Sequence, residues 1–150
     1  KLTNLLAPDL RRSAPSRVIN VSSIAHTFPY TGGFRWDDLR GEQSYNKWSA
    51  YGSSKLANIL HARELNRRFQ AEGVDVTAYS LHPGVINTDL YRHLGVFGAV
   101  YHMLTSWANK NIPQGAATTM FCALAPAAKE SAGGYFQDCN VVPDASMVRA

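Results

Sequence analysis

Tyr51 and Lys55, in the stretch YGSSKLAN, pair a phenol with an ammonium four residues apart. On a helix that spacing puts both side chains on one face, one turn above the other. A phenol of pKa ~10 is a competent acid near neutrality and a poor base. An adjacent ammonium favours the phenolate. Such a pair could give a proton to a carbonyl oxygen or take one from an alcohol. Upstream, the run VINVSS over 18–23 ends in two serines, and a hydroxyl of Ser22 or Ser23 could orient that same oxygen. No side chain supplies the accompanying hydride, so the chemistry implies a nicotinamide cofactor. Tyr and Lys at this spacing recur by chance on many helices. The order of the motifs gives the pair its weight: a strand ending in NVSS, a helix opening with YGSSK, and a strand ending in HPG.

The elements that must hold these residues alternate along the chain. Leu2, Leu5, Leu6 and Leu10 recur at helical spacing, so an amphipathic helix is expected to end near Arg12. SAPSR breaks it, and RVINVSS is suited to a buried parallel strand. Residues 26–46, rich in Gly, Pro, Asp and aromatics, read as a long loop of the kind that is usually functional or mobile. From Lys47 to about Gln70 the pattern is helical, with Glu64 and Arg68 as an i,i+4 pair. Ile59, Ala62, Leu65 and Phe69 form its apolar stripe, widened by Leu56 and Leu60 enough to cover a sheet and meet another subunit. Gly73 ends this helix. VDVTAYSLHPG is a second strand, stopped at Pro83-Gly84. Residues 88–110 read as a loop with short helical pieces. A helix then runs from Pro113 to about Ala125, and a short last strand spans Gly134 to Gln137. This alternation predicts an α/β fold of parallel strands joined by right-handed crossovers, in one domain without repeats. Ligands of such sheets bind beyond the carboxyl ends of the strands, where Ser22-Ser23, His82-Pro83-Gly84 and the helix turn of Tyr51 all fall.

A chain of 150 residues can bury a core, and 45% hydrophobic with 17% charged residues excludes a disordered chain. The net charge of +4 is scattered, with basic pairs only at Arg11-Arg12 and Arg67-Arg68, which argues against nucleic acid as a partner. Cys122 and Cys139 have neither CxxC spacing nor a His/Cys cluster around them. They read as unpaired thiols of a reducing intracellular compartment, with no metal expected. The Asn20-Val21-Ser22 sequon lies in a strand run and reads as chance. No apolar stretch approaches the ~20 residues needed to span a bilayer. The chain opens at Lys1, in what reads as mid-helix and without a signal peptide, and is expected to be a piece of something longer.

In type, order and spacing, VINVSS, YGSSK and LHPGVINT resemble the motifs of the short-chain dehydrogenase/reductase family, over nearly the whole chain. The long stretch between Ser23 and Tyr51, with AYGSSKLANIL and PQGAATTMFCAL, resembles the retinol-dehydrogenase-like branch, and within it the plant members associated with the chloroplast translocon. The resemblance implies Tyr51 as catalytic acid/base, Lys55 as the residue that lowers its pKa and binds the nicotinamide ribose, and Ser23 as the one that positions the substrate oxygen. It further implies cofactor contacts from Pro83, Gly84, Ile86 and Thr88, with the Ile86 backbone on the nicotinamide carboxamide and Thr88 on the amide or phosphate. NADP(H) is the implied cofactor, with NAD(H) as the alternative. The implied substrate is a small hydrophobic carbonyl or alcohol and the implied assembly a homodimer at full length, while the sequence leaves the location open between cytoplasm and chloroplast.

The family's opening TGxxxGxG loop, its NNAG segment and the asparagine of its catalytic group are absent from these 150 residues. Gly32-Gly33 follows the serine strand, Gly133-Gly134 precedes the last strand, and Asn4 falls too late to be that asparagine. The expected fold is therefore the carboxyl-terminal half of a Rossmann-type doubly wound parallel sheet. Residues 1–150 would form a partial domain, incomplete by itself for cofactor binding because the pyrophosphate site is lacking.

Other roles compete for several of these residues. Ser23 could cap a turn, and Ser22 reads as structural. A serine hydrolase built on Ser22 or Ser23 with His26 lacks the GxSxG elbow and a placed carboxylate. His82 reads as strand-end packing and His61 as helix surface, while His93 and His102 lack further metal ligands. Trp36, Trp48 and Trp107 read mostly as packing. Phe97, Val100, Tyr101 and Leu104 suit a lid over a substrate better than a peripheral membrane contact. The rival function is a non-catalytic fragment that acts as a dimerisation module through the helix at Lys47 to Gln70.

Overall fold

The computed structural model describes residues 1–86 and 110–143. Helix α1 spans Leu2–Arg12, strand β1 Ser16–Val21, and a 3-10 turn Ile24–Thr27. Helix α2 covers Lys47–Ala71 and strand β2 Val76–His82. Helix α3 covers Ile112–Leu124, followed by a 3-10 segment at Pro126–Ser131 and strands β3, Tyr135–Gln137, and β4, Asn140–Val141.

The strands form one sheet in the order β1-β2-β3-β4. β1 runs parallel to β2 from Ser16 opposite Val76 to Val21 opposite Leu81, and β2 runs parallel to β3. The strand alternation is thus as expected, with one addition: β4 returns antiparallel to β3. Asp138 and Cys139 make the two-residue turn at φ 52° and 60°, the doubly left-handed geometry that matches strand twist in a tight hairpin. With neither Gly nor Asn at those two positions, the sequence carries no hairpin signal there.

Alternation along β2 assigns the two faces of the sheet. Val76 and Ala78 meet Ala62, Leu65 and Phe69 of α2, with Ala7 and Leu10 of α1 packed beside them. Tyr79 and Leu81 turn the other way, to Cys122 of α3, Ala128 and Phe136. All seven residues of β2 are buried, as a central parallel strand between helix layers should be.

The helix ends are chemically specified. The Asn46 side chain accepts the N–H groups of Trp48 and Ser49 at the start of α2, and Gly73 at φ 68° releases the chain at its end. Asn111 and Gln114 exchange bonds in a capping box at α3, with Pro113 in its first turn. Arg11 grips the Glu72 carboxylate with bonds of 2.7 and 2.8 Å, tying α1 to the end of α2. On α2, the Glu64 carboxylate accepts from Arg67 and then Arg68, which hold its carboxyl down at about 2.

Of the widened α2 stripe, Leu56 is buried against the loop at Gly33 and Leu60 stays exposed. Trp36 and Trp48, expected to pack, are 73% and 62% exposed. Trp48 lies in the first turn of α2, and Trp36 leans on Phe34 at 5.1 Å within the loop. No helix among the described residues is long and apolar enough to cross a membrane.

Candidate active site

β1 and α2 are stitched together where β1 ends. The Val21 carbonyl accepts the Lys55 ammonium at 3.2 Å and the Asn58 amide at 3.0 Å. The buried Ser22 hydroxyl donates to the Lys55 carbonyl at 2.7 Å, and the Asn20 amide donates to the Asn58 carbonyl at 2.9 Å. Asn20 and Ser22, at the end of β1 and just past it, thus tie the backbone of α2 to the strand, and the Val21 carbonyl holds the Lys55 ammonium. The Tyr51 ring lies one turn earlier, its centroid 5.4 Å from the Lys55 Nζ, and the residue is 44% exposed. That exposure leaves the phenol open to a ligand.

Ser23, the next residue but one after Val21, is extended and half-buried. Its Oγ accepts the Ala25 N–H at 3.2 Å and so caps the 3-10 turn. Capping occupies a lone pair and leaves the O–H free to donate, so capping and substrate positioning are compatible. The turn rests directly on α2 because residue 52 is glycine. A Cβ there would stand 2.4 Å from the Phe28 carbonyl oxygen and 2.7 Å from that of Ala25. No motif in the sequence singles out Gly52. Its signal was a glycine inside a helix, which costs ~1 kcal/mol against alanine and calls for a packing reason.

The loop over 26–46 is tied down in the same manner. The Ser53 hydroxyl donates to the Gly33 carbonyl at 2.6 Å and accepts the Tyr30 N–H at 3.2 Å. Asp38 accepts N–H groups of Ser44, Glu42 and Gln43, which with Arg35 hold its carboxyl below the usual range.

The end of β2 lies beside that of β1, since the Ser22 N–H donates to the Leu81 carbonyl at 2.7 Å. His82 is buried, as expected of a strand-end packing residue, and burial together with the nearby Lys110 charge lowers its pKa. Gly84 turns the chain at φ 93°. Ile86 packs on α3 at Gly115, where a Cβ would come within 2.3 Å of Ile86 Cδ1. The structure therefore groups Ser23, Tyr51 and Lys55 at the junction of β1 and α2, and Pro83, Gly84 and Ile86 at the end of β2. Thr88, His93, Phe97, Val100, Tyr101, His102, Leu104 and Trp107 lie outside the described residues.

Below this surface sit His26, His82 and Tyr135, each with a buried polar atom lacking a partner among the described residues. His26 and Tyr135 meet edge to face at 4.8 Å, and burial pushes the Tyr135 phenol up to about 12. Cys122 and Cys139 are free thiols, and the described residues hold no cluster suited to a metal ion.

A phenol and an ammonium on α2, a hydroxyl just past β1 and a glycine-permitted turn just past β2 could together hold the nicotinamide end of a dinucleotide. No protein-family profile matches the chain. Individual proteins do. It is 48% identical over 145 residues to short-chain dehydrogenase TIC 32 A, chloroplastic, of Brassica napus, covering 93% of this chain and 45% of that one. Against human retinol dehydrogenase 11 it is 44% identical over 140 residues, covering 93% and 42%. The chain thus spans less than half the length of these curated relatives. Among solved structures, the fold resembles that of NADPH-bound carbonyl reductase from chicken fatty liver, with a TM-score of 0.60 at 19% identity over 94% of this chain and 50% of that one. The KRED1-Pglu enzyme also gives 0.60, at 26% identity over 90% and 52%. On its motifs, its relatives and its fold together, the chain belongs to the short-chain dehydrogenase/reductase family, in the retinol-dehydrogenase-like branch.

Proposed function

We propose that residues 1–150 form the nicotinamide and substrate side of an NADP(H)-dependent oxidoreductase acting on a small hydrophobic carbonyl or alcohol. The observation that carries this reading is the exposed Tyr51 phenol with the Lys55 ammonium 5.4 Å from its ring, the ammonium itself bonded to the Val21 carbonyl at the end of β1. Tyr51 moves the proton: to the substrate oxygen in reduction, from it in oxidation. Ser23 donates its free O–H to that oxygen and orients it. Lys55 supplies the positive charge beside the phenol and a donor for the ribose. The backbone from Pro83 to Ile86 meets the carboxamide, and Thr88 belongs to the same segment by its motif. The nicotinamide, when bound, supplies or accepts the hydride.

The names of the relatives support this reading: one is a dehydrogenase, one a retinol dehydrogenase, and one structural neighbour is a reductase with NADPH bound. The chloroplastic relative makes the chloroplast the location to test first. Homodimer formation rests on the family and on the leucines that α1 and α2 leave exposed, Leu2, Leu5, Leu6 and Leu60. The test is NADPH consumption by the full-length protein with a series of aldehydes of increasing chain length. Turnover that improves with apolar length supports the reading. A protein that binds no nicotinamide and turns over none of them leaves the dimerisation module as the better account.

A further inference from the structure

Lys110 has no part in the chemistry above, yet its contacts converge on the turn that follows β2. Its backbone N–H donates to the Val85 carbonyl at 2.8 Å, and it forms an isolated parallel bridge with Ile86. Its stem crosses Gly84 so closely that a Cβ there would lie 2.7 Å from Cδ and 2.8 Å from Cε. Its Nζ donates to the Pro83 carbonyl at 3.4 Å and pairs with the Asp138 carboxylate. The side chain is 24% exposed, well covered for a lysine.

The far end of this contact is itself fixed. Asp138 occupies the left-handed turn between β3 and β4, and the next N–H, of Cys139, donates to the Thr118 hydroxyl of α3 at 3.3 Å. The carboxylate is therefore presented by a short hairpin rather than by a free loop. The turn it faces needs such a support. Gly84 has no side chain to pack, and glycine leaves more backbone freedom to be restrained than any other residue. One ammonium, held at one end by the hairpin, lies across the backbone that Pro83, Gly84 and Val85 present beyond β2.

We propose that Lys110, held by Asp138, is a positioning residue for the Pro83–Ile86 turn and so sets how well that turn receives the nicotinamide. The second half of this proposal rests on the cofactor reading given above; the clamp itself does not. The mechanism is restraint: a turn already held in its bound shape loses less freedom on binding.

The test combines hydrogen exchange with NADPH titration in the full-length protein. Lys110→Met keeps the stem across Gly84 and removes the charge; Asp138→Asn removes the partner; Lys110→Arg keeps the pair. Each charge-removing variant should speed amide exchange in 84–86 and weaken NADPH binding by about tenfold, within the usual range for contacting residues. The thermal midpoint and the turnover at saturating cofactor should stay close to the parent's. The Arg variant should match the parent, and the Met/Asn double variant should be no worse than the Met variant alone. Unchanged exchange in Lys110→Met overturns the clamp, whatever the cofactor does. Faster exchange with unchanged NADPH affinity overturns the positioning role. Faster exchange in a protein whose parent binds no NADPH overturns the cofactor reading of the turn and leaves the clamp standing.

Discussion

The Lys55 ammonium lies 5.4 Å from the centroid of the Tyr51 ring while it donates to the Val21 carbonyl at 3.2 Å. One side chain therefore links the helix that carries the phenol to the end of the strand that leads to Ser23. Lys55→Met keeps most of the stem and removes the charge. A hydrogen bond to a charged group is worth ~1.5–3 kcal/mol, so cofactor affinity should fall about tenfold to a hundredfold. Turnover should fall with it, because the phenol loses its adjacent charge. Steady-state kinetics and NADPH titration of this variant check both, and parental values in both would make Lys55 an ordinary surface lysine.

Gly52→Ala tests the contact between α2 and the turn that Ser23 opens. Alanine favours a helix by ~1 kcal/mol, so propensity alone predicts a more stable protein. The new methyl, however, would sit 2.4 Å from a backbone oxygen, which cannot swing aside as a side chain can. Overpacking of this kind costs ~1–3 kcal/mol. The variant should melt several degrees lower and lose activity beyond what its folded fraction explains, since the Ser23 turn must shift. Calorimetry with kinetics at a temperature where both proteins are folded measures this. An equal or higher midpoint would show that the contact is loose.

Alkaline pH should weaken the fold through two buried groups on opposite faces of the sheet. Burial raises the Cys122 thiol from 9.0 to about 11 and the Tyr135 phenol from 10.0 to about 12. A raised value means that the folded state holds the proton more tightly than the unfolded chain does. The associated stability is fully present below pH 9 and is lost as pH climbs towards 11 and 12. Cys122→Ala should leave a protein of lower midpoint at pH 7 but a shallower decline between pH 9 and 11. Denaturant melts across that window decide it; parallel declines in parent and variant would remove Cys122 from the account.

Much of this arrangement was legible in the residues. The period of Ile59, Ala62, Leu65 and Phe69 gave the buried face of α2, and the β-branched run before Ser22 gave β1. Hydrophobic period and strand-end serines are local signals, and local signals survive in a sequence. Gly52 and Lys110 were not legible in that way, because each matters through a contact with a distant segment. Gly52 serves carbonyls 24 and 27 positions away in the chain, at Phe28 and Ala25. Lys110 serves Gly84 and Asp138. The β3–β4 hairpin escaped notice because Asp138-Cys139 adopts a turn that its residue types do not advertise. Trp36 and Trp48 misled in the other direction: aromatic rings predict burial on average, and a loop and a helix start leave these two open.

The central claim is that Tyr51 transfers the proton, and Tyr51→Phe tests it most directly. Phenylalanine keeps the ring and removes only the hydroxyl, so the stacking with Lys55 and the fold should survive. In the full-length protein, turnover of an apolar aldehyde with NADPH should fall by about two to four decades, the usual contribution of a general acid. The dissociation constant for NADPH should stay within about twofold of the parent's, less than ~0.5 kcal/mol. Single-turnover kinetics with both reactants bound reads the proton-coupled step without binding. A variant that turns over as fast as its parent across an aldehyde series would contradict the assignment.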